Sequence, residues 1–421
     1  MPPSVDRLRR SLLLTAPGLA AAAWCGPALS QQASLRLTAA SGETRLTGPD
    51  GPATPFLGYD GQLPGPVLRI RRGEPLKLDF QNDLSEPTQL HWHGMRQGIG
   101  AAPSLVSPAQ LARVTVASRD AGTFLYRPNL AGGESQLLRG LAGLLLVDDT
   151  APPVHDRELT LLLSEAPGGI ASPLLANGRT ALDWSVRPNE RVWLRIANGT
   201  ASRVLRLALP DQILTLVALD SQPCEPFRLD AGQIVLGPGQ RAEILWDVTG
   251  AGPAVPLQVA RFGGTALVDQ VRIGGPPLRD APLPAPQPLS ANPLPQAMDF
   301  RRAMRWDWPI GGTAEAPTLA GRGDRGLSAT SAFRARPGNV VMATIRNDSP
   351  ALHAVHLQGQ AARLLDGMDD GWKPYFLDTV LVAPGMTVRL AFVAEQAGRF
   401  LVTSQPINAA DGPVVIAFDV G

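Results

Sequence analysis

The sequence predicts an all-β protein made of three consecutive β-sandwich domains. Runs that alternate apolar and polar residues dominate the chain. Glycine and proline are abundant, 43 and 41 of 421 residues. A turn–strand–turn phrase also recurs three times. In a β-strand successive side chains point to opposite faces, so period-2 alternation bounded by Gly, Pro and Asn marks a half-buried strand. Leu76-Lys77-Leu78-Asp79-Phe80, Arg191-Val192-Trp193-Leu194-Arg195-Ile196 and Val388-Arg389-Leu390-Ala391-Phe392 all read this way. No stretch has the length and 3.6-residue period of a long amphipathic helix.

The recurring phrase is a Gly- or Asn-containing turn, an alternating strand, and a second turn with Asn. It runs from Arg72-Gly73 to Asn82, from Pro188-Asn189 to Asn198 and from Pro337-Gly338 to Asn347. The spacings, roughly 110 and 150 residues, are those of one sandwich domain plus its connections. Between the second and third copies, residues 274–295 are dense in Pro and Leu and predict an extended, semi-rigid linker. The expected divisions are domains at 31–152 and 153–275, a Pro-rich linker at 276–298 and a third domain at 299–421.

Residues 1–30 read as a targeting segment. Arg9-Arg10 precede an apolar run at 12–24, and Ala28-Leu29-Ser30 offers small residues for cleavage near residue 30. The run is too short to cross a membrane, so no transmembrane anchor is expected. The paired arginines before Ser11-Leu12-Leu13 resemble a twin-arginine signal, with an ordinary secretory signal as the alternative. Either predicts a mature chain in a bacterial periplasm. Cleavage would remove Cys25 and leave Cys224 alone, unable to form an intramolecular disulfide and expected in a core. The net charge is +1 with signs interspersed, which gives no footprint for nucleic acid.

Five histidines are present, four of them in two clusters. In Leu90-His91-Trp92-His93-Gly94 the two histidines share a strand face and can offer two imidazoles to one metal. In Leu352-His353-Ala354-Val355-His356-Leu357-Gln358, His356 and Gln358 share a face and His353 has the opposite parity. His155, after Pro152-Pro153, is expected to be solvated.

The surrounding phrases resemble the multicopper oxidase family over nearly the whole mature chain, in order. Gly61-Gln62-Leu63-Pro64-Gly65-Pro66, Arg72-Gly73-Glu74, Asn82-Asp83-Leu84 and His91-Trp92-His93-Gly94 are similar to its first domain. Pro238-Gly239-Gln240-Arg241 is similar to its middle domain, and Asp378-Thr379-Val380 with Pro384-Gly385 to its third. The resemblance implies three consecutive cupredoxin-like Greek-key β-sandwiches, with one type 1 copper and a three-copper cluster held by four histidine-rich motifs.

Carried over residue by residue, most of those ligands are missing. The first motif keeps His91 and His93. The second has Arg127 and Asn129 where the family has histidines, between Tyr126 and Gly140-Leu141-Ala142-Gly143. The third keeps His353, at a former type 1 position, and His356, but has Gln358. The fourth has Thr403-Ser404-Gln405 in place of His-Cys-His, with Ala409 near its last position. A blue copper site needs a thiolate, and a serine hydroxyl cannot replace it. Arg127 puts a fixed positive charge where cations would bind; each unit-charge pair repels by roughly 4 kcal/mol at 4 Å and an effective dielectric of about 20. Its guanidinium is expected to face Gln358 and Gln405.

The resemblance therefore implies no catalytic residue and no resident copper, or copper at a single residual type 2-like site of His91, His356 and His93. The degraded motifs and Gly371-Trp372-Lys373 are similar to the copper-less SufI/FtsP-type periplasmic members, which implies a non-catalytic scaffold with periplasmic protein partners, cell-division proteins among them. The intact His91 and His93 depart from that type. The alternative is a copper-binding protein or weak oxidase using the residual site.

Overall fold

The computed structural model describes residues 34–98, 105–128, 133–250, 252–261, 266–295, 297–313, 316–325, 329–365, 372–409 and 412–421. The expected targeting segment, Cys25, Asn129 and Gly371 lie outside these.

Strands dominate the described residues, and the longest α-helix among them is the five-residue Gly133–Leu137. Three sandwiches follow one another. In the first, Ala53–Tyr59, Leu35–Arg45, Leu76–Asn82 and Leu111–Val116 form one sheet in that spatial order. The facing sheet is Leu68–Arg71, Gly143–Asp148, Gly122–Arg127 and His91–His93. The facing sheet of the second sandwich is Ser185–Val186, Ala266–Ile273, Ala254–Arg261, Leu205–Ala208 and Gln233–Leu236. That of the third is Ser331–Ala335, Val414–Val420, Gly398–Pro406, His353–Leu357 and Thr379–Val382. In all three the first pair is parallel and the next two are antiparallel. His91–His93 and His353–Leu357 thus occupy equivalent places in their sheets. Each sandwich closes on its own apolar core, around Tyr59, Phe80 and Trp92, around Leu194, Ile244 and Trp246, and around Phe333, Phe392 and Phe418.

The repeated phrase has one structure three times. Its first turn places Gly73, Asn189 and Gly338 at φ +82°, +61° and +88°, the left-handed region that Gly and Asn tolerate best. Its second turn buries Asn82, Asn198 and Asn347 completely. Each amide donates to two backbone carbonyls: those of Glu86 and Val106, of Arg203 and Leu236, and of Ala351 and Val382. Each side-chain oxygen accepts from the backbone N–H two residues on, at Leu84, Thr200 and Ser349. The three residues tie a turn to a strand that is distant in sequence.

Two local readings differ from expectation. Arg191–Asn198 is buried on both faces, not half-buried. Its polar face packs on the first sandwich, where Arg195 bonds Thr123 Oγ1 at 2.9 Å, pairs with Asp148, Glu158 and Glu243, and lies 4.5 Å above the Trp193 ring. His155 is partly buried, edge-on to Trp193 with ring centroids 5.2 Å apart. Cys224 is buried in the second core.

Residues 274–299 form no strand or helix among those described and are held as a strap. Arg191 Nη2 donates to the carbonyl oxygens of Leu283 and Pro284. Asn292, buried, exchanges two bonds with the Ala121 backbone and donates to Ser221 O and Gln222 Oε1. It joins the strap to the first and second sandwiches at one point.

Replacing any of Asn82, Asn198 or Asn347 with Ala removes two donated bonds to carbonyls and leaves one backbone N–H without its acceptor in the interior. Each substitution is expected to lower the unfolding free energy by about 1–3 kcal/mol, measured by urea denaturation. A substitution that leaves the midpoint unchanged contradicts the role given to that turn.

Candidate metal centre at a three-domain junction

The four clustered histidines are buried. His91 and His93 sit on their short strand beside Gly122–Arg127, with His91 opposite Arg127 in register. Their ring centroids are 6.2 Å apart. The His356 ring, from the third sandwich, stacks on His93 at 4.1 Å and 23°. His93, His356 and Asp378 place metal-ligand atoms within 4.8 Å of one another. The structure thus brings His91, His93 and His356 into one buried cluster and adds Asp378 to it, while His91 lies outside that tightest set.

The hydrogen bonds assign the ring protons, since a neutral imidazole has one donor and one acceptor nitrogen. Arg127 Nη2 donates to His93 Nδ1 at 3.1 Å, so the His93 proton is on Nε2. Gln358 Nε2 lies 3.3 Å from His91 Nδ1. His356 Nδ1 faces Thr379 Oγ1 at 3.0 Å and Asp378 Oδ1 at 3.3 Å, and that hydroxyl donates to Asp378 Oδ1. His356 Nδ1 therefore donates to this pair, and its Nε2 is buried and without a hydrogen-bond partner among the described residues. The bond from the Arg127 guanidinium to His93 is one the sequence did not suggest.

Asp378 connects the cluster to the second sandwich. The fully buried Arg241 grips it with two bonds, Nη2–Oδ2 at 2.7 Å and Nη1–Oδ1 at 3.1 Å. Arg241 also donates to the carbonyl oxygens of Thr123, in the first sandwich, and Gly239. Asp220 sits beside it and accepts from the backbone N–H groups of Arg241, Asp378 and Thr379. Gly94 adjoins this guanidinium, where a Cβ would fall 2.3 Å from Arg241 Nη2. One arginine thereby binds all three sandwiches.

The electrostatics follow from burial. Burial, reinforced by Arg127 and His356, pushes the His91 imidazolium down to about 3. Burial and Arg127 hold His93 well below its usual value, and burial alone lowers His353 to about 4. Arg127 is lowered by burial to about 10, still a cation at neutral pH, with Glu134 opposing the shift. Burial works to raise Asp378, but Arg241 and His356 hold it below the carboxylate range. The buried cations are thus the arginines, and His91, His93 and His353 are neutral.

His353 lies apart from this cluster. Its Nδ1 is 2.9 Å from Ser404 Oγ, and both residues are buried. Ser404, Thr403 and Gln405 lie on Gly398–Pro406, where Ser404 pairs with Val355.

Family models described as multicopper oxidase match residues 41–152, 150–253 and 291–408. The chain is 24% identical over 432 residues to the multicopper oxidase MmcO of Mycobacterium tuberculosis, across 84% of this chain and 80% of that one. It superposes on a multicopper oxidase from Pseudomonas thermotolerans with a TM-score of 0.80 and 28% identity, covering 92% and 99% of the two chains. McoA of Aquifex aeolicus shares the fold, with a TM-score of 0.75 at 20% identity over 92% and 96%. The chain belongs to the multicopper oxidase family, and its fold is three consecutive cupredoxin-like sandwiches.

The residues present do not fit that family's full copper complement. A blue site needs a thiolate, and His353 faces a serine hydroxyl. At the cluster, Arg127 supplies a positive charge and donates to the one unprotonated nitrogen of His93.

Asp220 and Arg195 are the site residues that motif matching does not single out; Arg241 and Asp378 lie within matched phrases, but nothing in those phrases pairs them. For Arg195 the signal is an opposite charge on the neighbouring strand, since it stands directly across from Glu243 in register. Such a pair on a solvent-facing surface looks the same in sequence.

Removing one partner of the buried pair, by Arg241→Met or Asp378→Leu, is expected to cost about 3–5 kcal/mol, and the double variant less than the sum. Additive costs in denaturation would show that the two do not interact. The pH dependence of His353 has a definite sign. Its folded pKa, about 4, is below the roughly 6.5 of an unfolded histidine. The unfolded chain thus binds the extra proton first, and stability is lost as pH falls from about 6.5 towards 4. Relative to His353→Asn, the parent is expected to lose up to about 1.4 kcal/mol per pH unit in that window. Parallel stability–pH curves would contradict a neutral His353.

Proposed function

We propose that this protein is a non-catalytic member of the multicopper oxidase family that acts as an exported scaffold or interaction protein, of the copper-less SufI/FtsP type, in a bacterial periplasm. One observation carries the reading. Hydrogen bonds internal to the protein occupy both places where copper chemistry requires metal ligation: Ser404 on His353 and Arg127 on His93. Electron entry to such a cluster requires a thiolate-bound copper, and a serine hydroxyl is a hard, protonated group with no comparable affinity. Loss of catalysis leaves the rigid three-sandwich body as the part with a use, and its partners are periplasmic proteins, those of cell division among them.

A second reading keeps one metal: a copper-binding protein or weak oxidase using His91, His93 and His356. The bare, buried Nε2 of His356 favours it. The Arg127 bond to His93 stands against it.

Protein produced with copper in excess is expected to show no intense blue absorption and no oxidation of phenols, aromatic diamines or cuprous ion. Stoichiometric blue copper with turnover of any of these would overturn the reading. Colourless copper with slow turnover, lost in His356→Ala, would establish the second one.

A further inference from the structure

We propose that a cavity of about 380 Å³ between the first and second sandwiches binds a small organic carboxylate with an apolar body, and that Arg179 holds its charged end. The cavity shares no residue with the histidine junction, so the inference stands whether or not the protein binds copper.

Two equivalent turns build the site. In the first sandwich Asp60 and Gly61 have φ of +51° and +68°, and a bridge joins Tyr59 to Gln62. In the second, Asn177 and Gly178 have φ of +50° and +74°, and a bridge joins Ala176 to Arg179. Positive φ at both central residues is the tight hairpin turn that Asp-Gly and Asn-Gly favour. Gln62 and Arg179 thus hold the same place in their turns, and both line the cavity.

The walls are fixed in advance of any ligand. Asn177 Oδ1 accepts from Leu162 N–H and its Nδ2 donates to Thr160 O, both at 2.8 Å. Gly178 seats the second turn against the first sandwich: a Cβ there would fall 1.9 Å from the Leu63 carbonyl oxygen. A site formed in this way loses little conformational freedom on binding. Its volume lies within the range of ordinary small-ligand pockets, roughly 300–1,000 Å³.

The lining states the chemistry. Leu144 and Leu162, buried members of one apolar cluster, contribute from opposite sandwiches. Leu63, Pro66 and Val67 extend that surface, and Val67 is 48% exposed. The body of a ligand would cover this open side chain. The polar lining includes the Thr160 hydroxyl, the Gln62 amide and the exposed Arg179 guanidinium. None of these three side chains has a hydrogen bond or ion pair among the described residues, and no lining residue is acidic. A guanidinium offers two parallel N–H groups that match a carboxylate, and a hydroxyl and an amide add further donors. Arg179 repels a cation. An inorganic anion would satisfy the arginine but leave the apolar wall uncovered. An amphipathic carboxylate satisfies both.

The test titrates the full chain with phenylpropionate by ligand-observed NMR, with phenylpropionamide as the uncharged match. Arg179 and Val67 are exposed, so Arg179→Gln and Val67→Glu are expected to fold as the parent does. The parent is expected to bind the acid saturably. Binding is expected to weaken by about tenfold or more for the amide, for Arg179→Gln, and for Val67→Glu, which sets a negative charge beside the site. Arg301→Gln, at an exposed arginine outside the site, is expected to bind as the parent does. No saturable binding by the folded parent below about 10 mM overturns the proposal. An amide that binds as tightly as the acid, or undiminished binding by Arg179→Gln, removes the carboxylate–Arg179 contact and overturns it. Undiminished binding by Val67→Glu, or an equal loss in Arg301→Gln, places the acid elsewhere and overturns it as well.

Discussion

The junction depends on the ion pair between Arg241 and Asp378. Both are buried, and a buried charge is tolerable only when it is paired and hydrogen-bonded. Asp378 has two bonds from the guanidinium, one from the Thr379 hydroxyl and a contact with His356. The remaining donors of Arg241 go to the carbonyl oxygens of Thr123 and Gly239 and to Ser221 Oγ, in the first and second sandwiches. Because the two ends of the pair belong to the second and third sandwiches, neither can move without exposing an uncompensated charge. The position of the third sandwich, and hence of His356 over His93, follows from that constraint.

On the non-catalytic reading proposed above, the same arrangement of charge takes the place of the family's copper. A metal cluster holds protein elements together by supplying positive charge to ligands from different strands. At this junction Arg241 and Arg127 supply it instead, and they cannot leave. His91 and His93 are retained as acceptors for Gln358 and Arg127, and His353 as the partner of Ser404. On that reading the family relationship and a metal-free centre are compatible: the sandwiches need a charged centre, and arginine is one.

The strands and the triple repeat were legible in the sequence because each is a local pattern, whereas the pairing of the two histidine clusters was implied by the family resemblance. The alternation at Leu76–Asn82 shows which face is buried, and Asn82, Asn198 and Asn347 mark the same turn by residue type alone. What was not legible depends on packing between sandwiches. The alternation of Arg191–Asn198 predicts a solvent face, yet Arg195 is buried because the first sandwich covers it. His155 looks like a loop histidine until Trp193 is placed beside it. Arg127 could be read as an intruder at a ligand position, but its bond to His93 Nδ1, and the tautomer that bond imposes, require the backbone on both sides. Asp378 and Arg241 stand 137 positions apart, and no spacing rule joins them.

On the non-catalytic reading, protein charges and not a metal ion hold the three sandwiches together, and thermal unfolding of the protein in chelator and in excess copper(II) or zinc tests this. A metal bound only to the folded state at a hundredfold excess over its dissociation constant would add about 2.7 kcal/mol, enough to raise the midpoint by several degrees. Superimposable transitions are expected under all three conditions. A midpoint that rises with either metal and returns with chelator would contradict it.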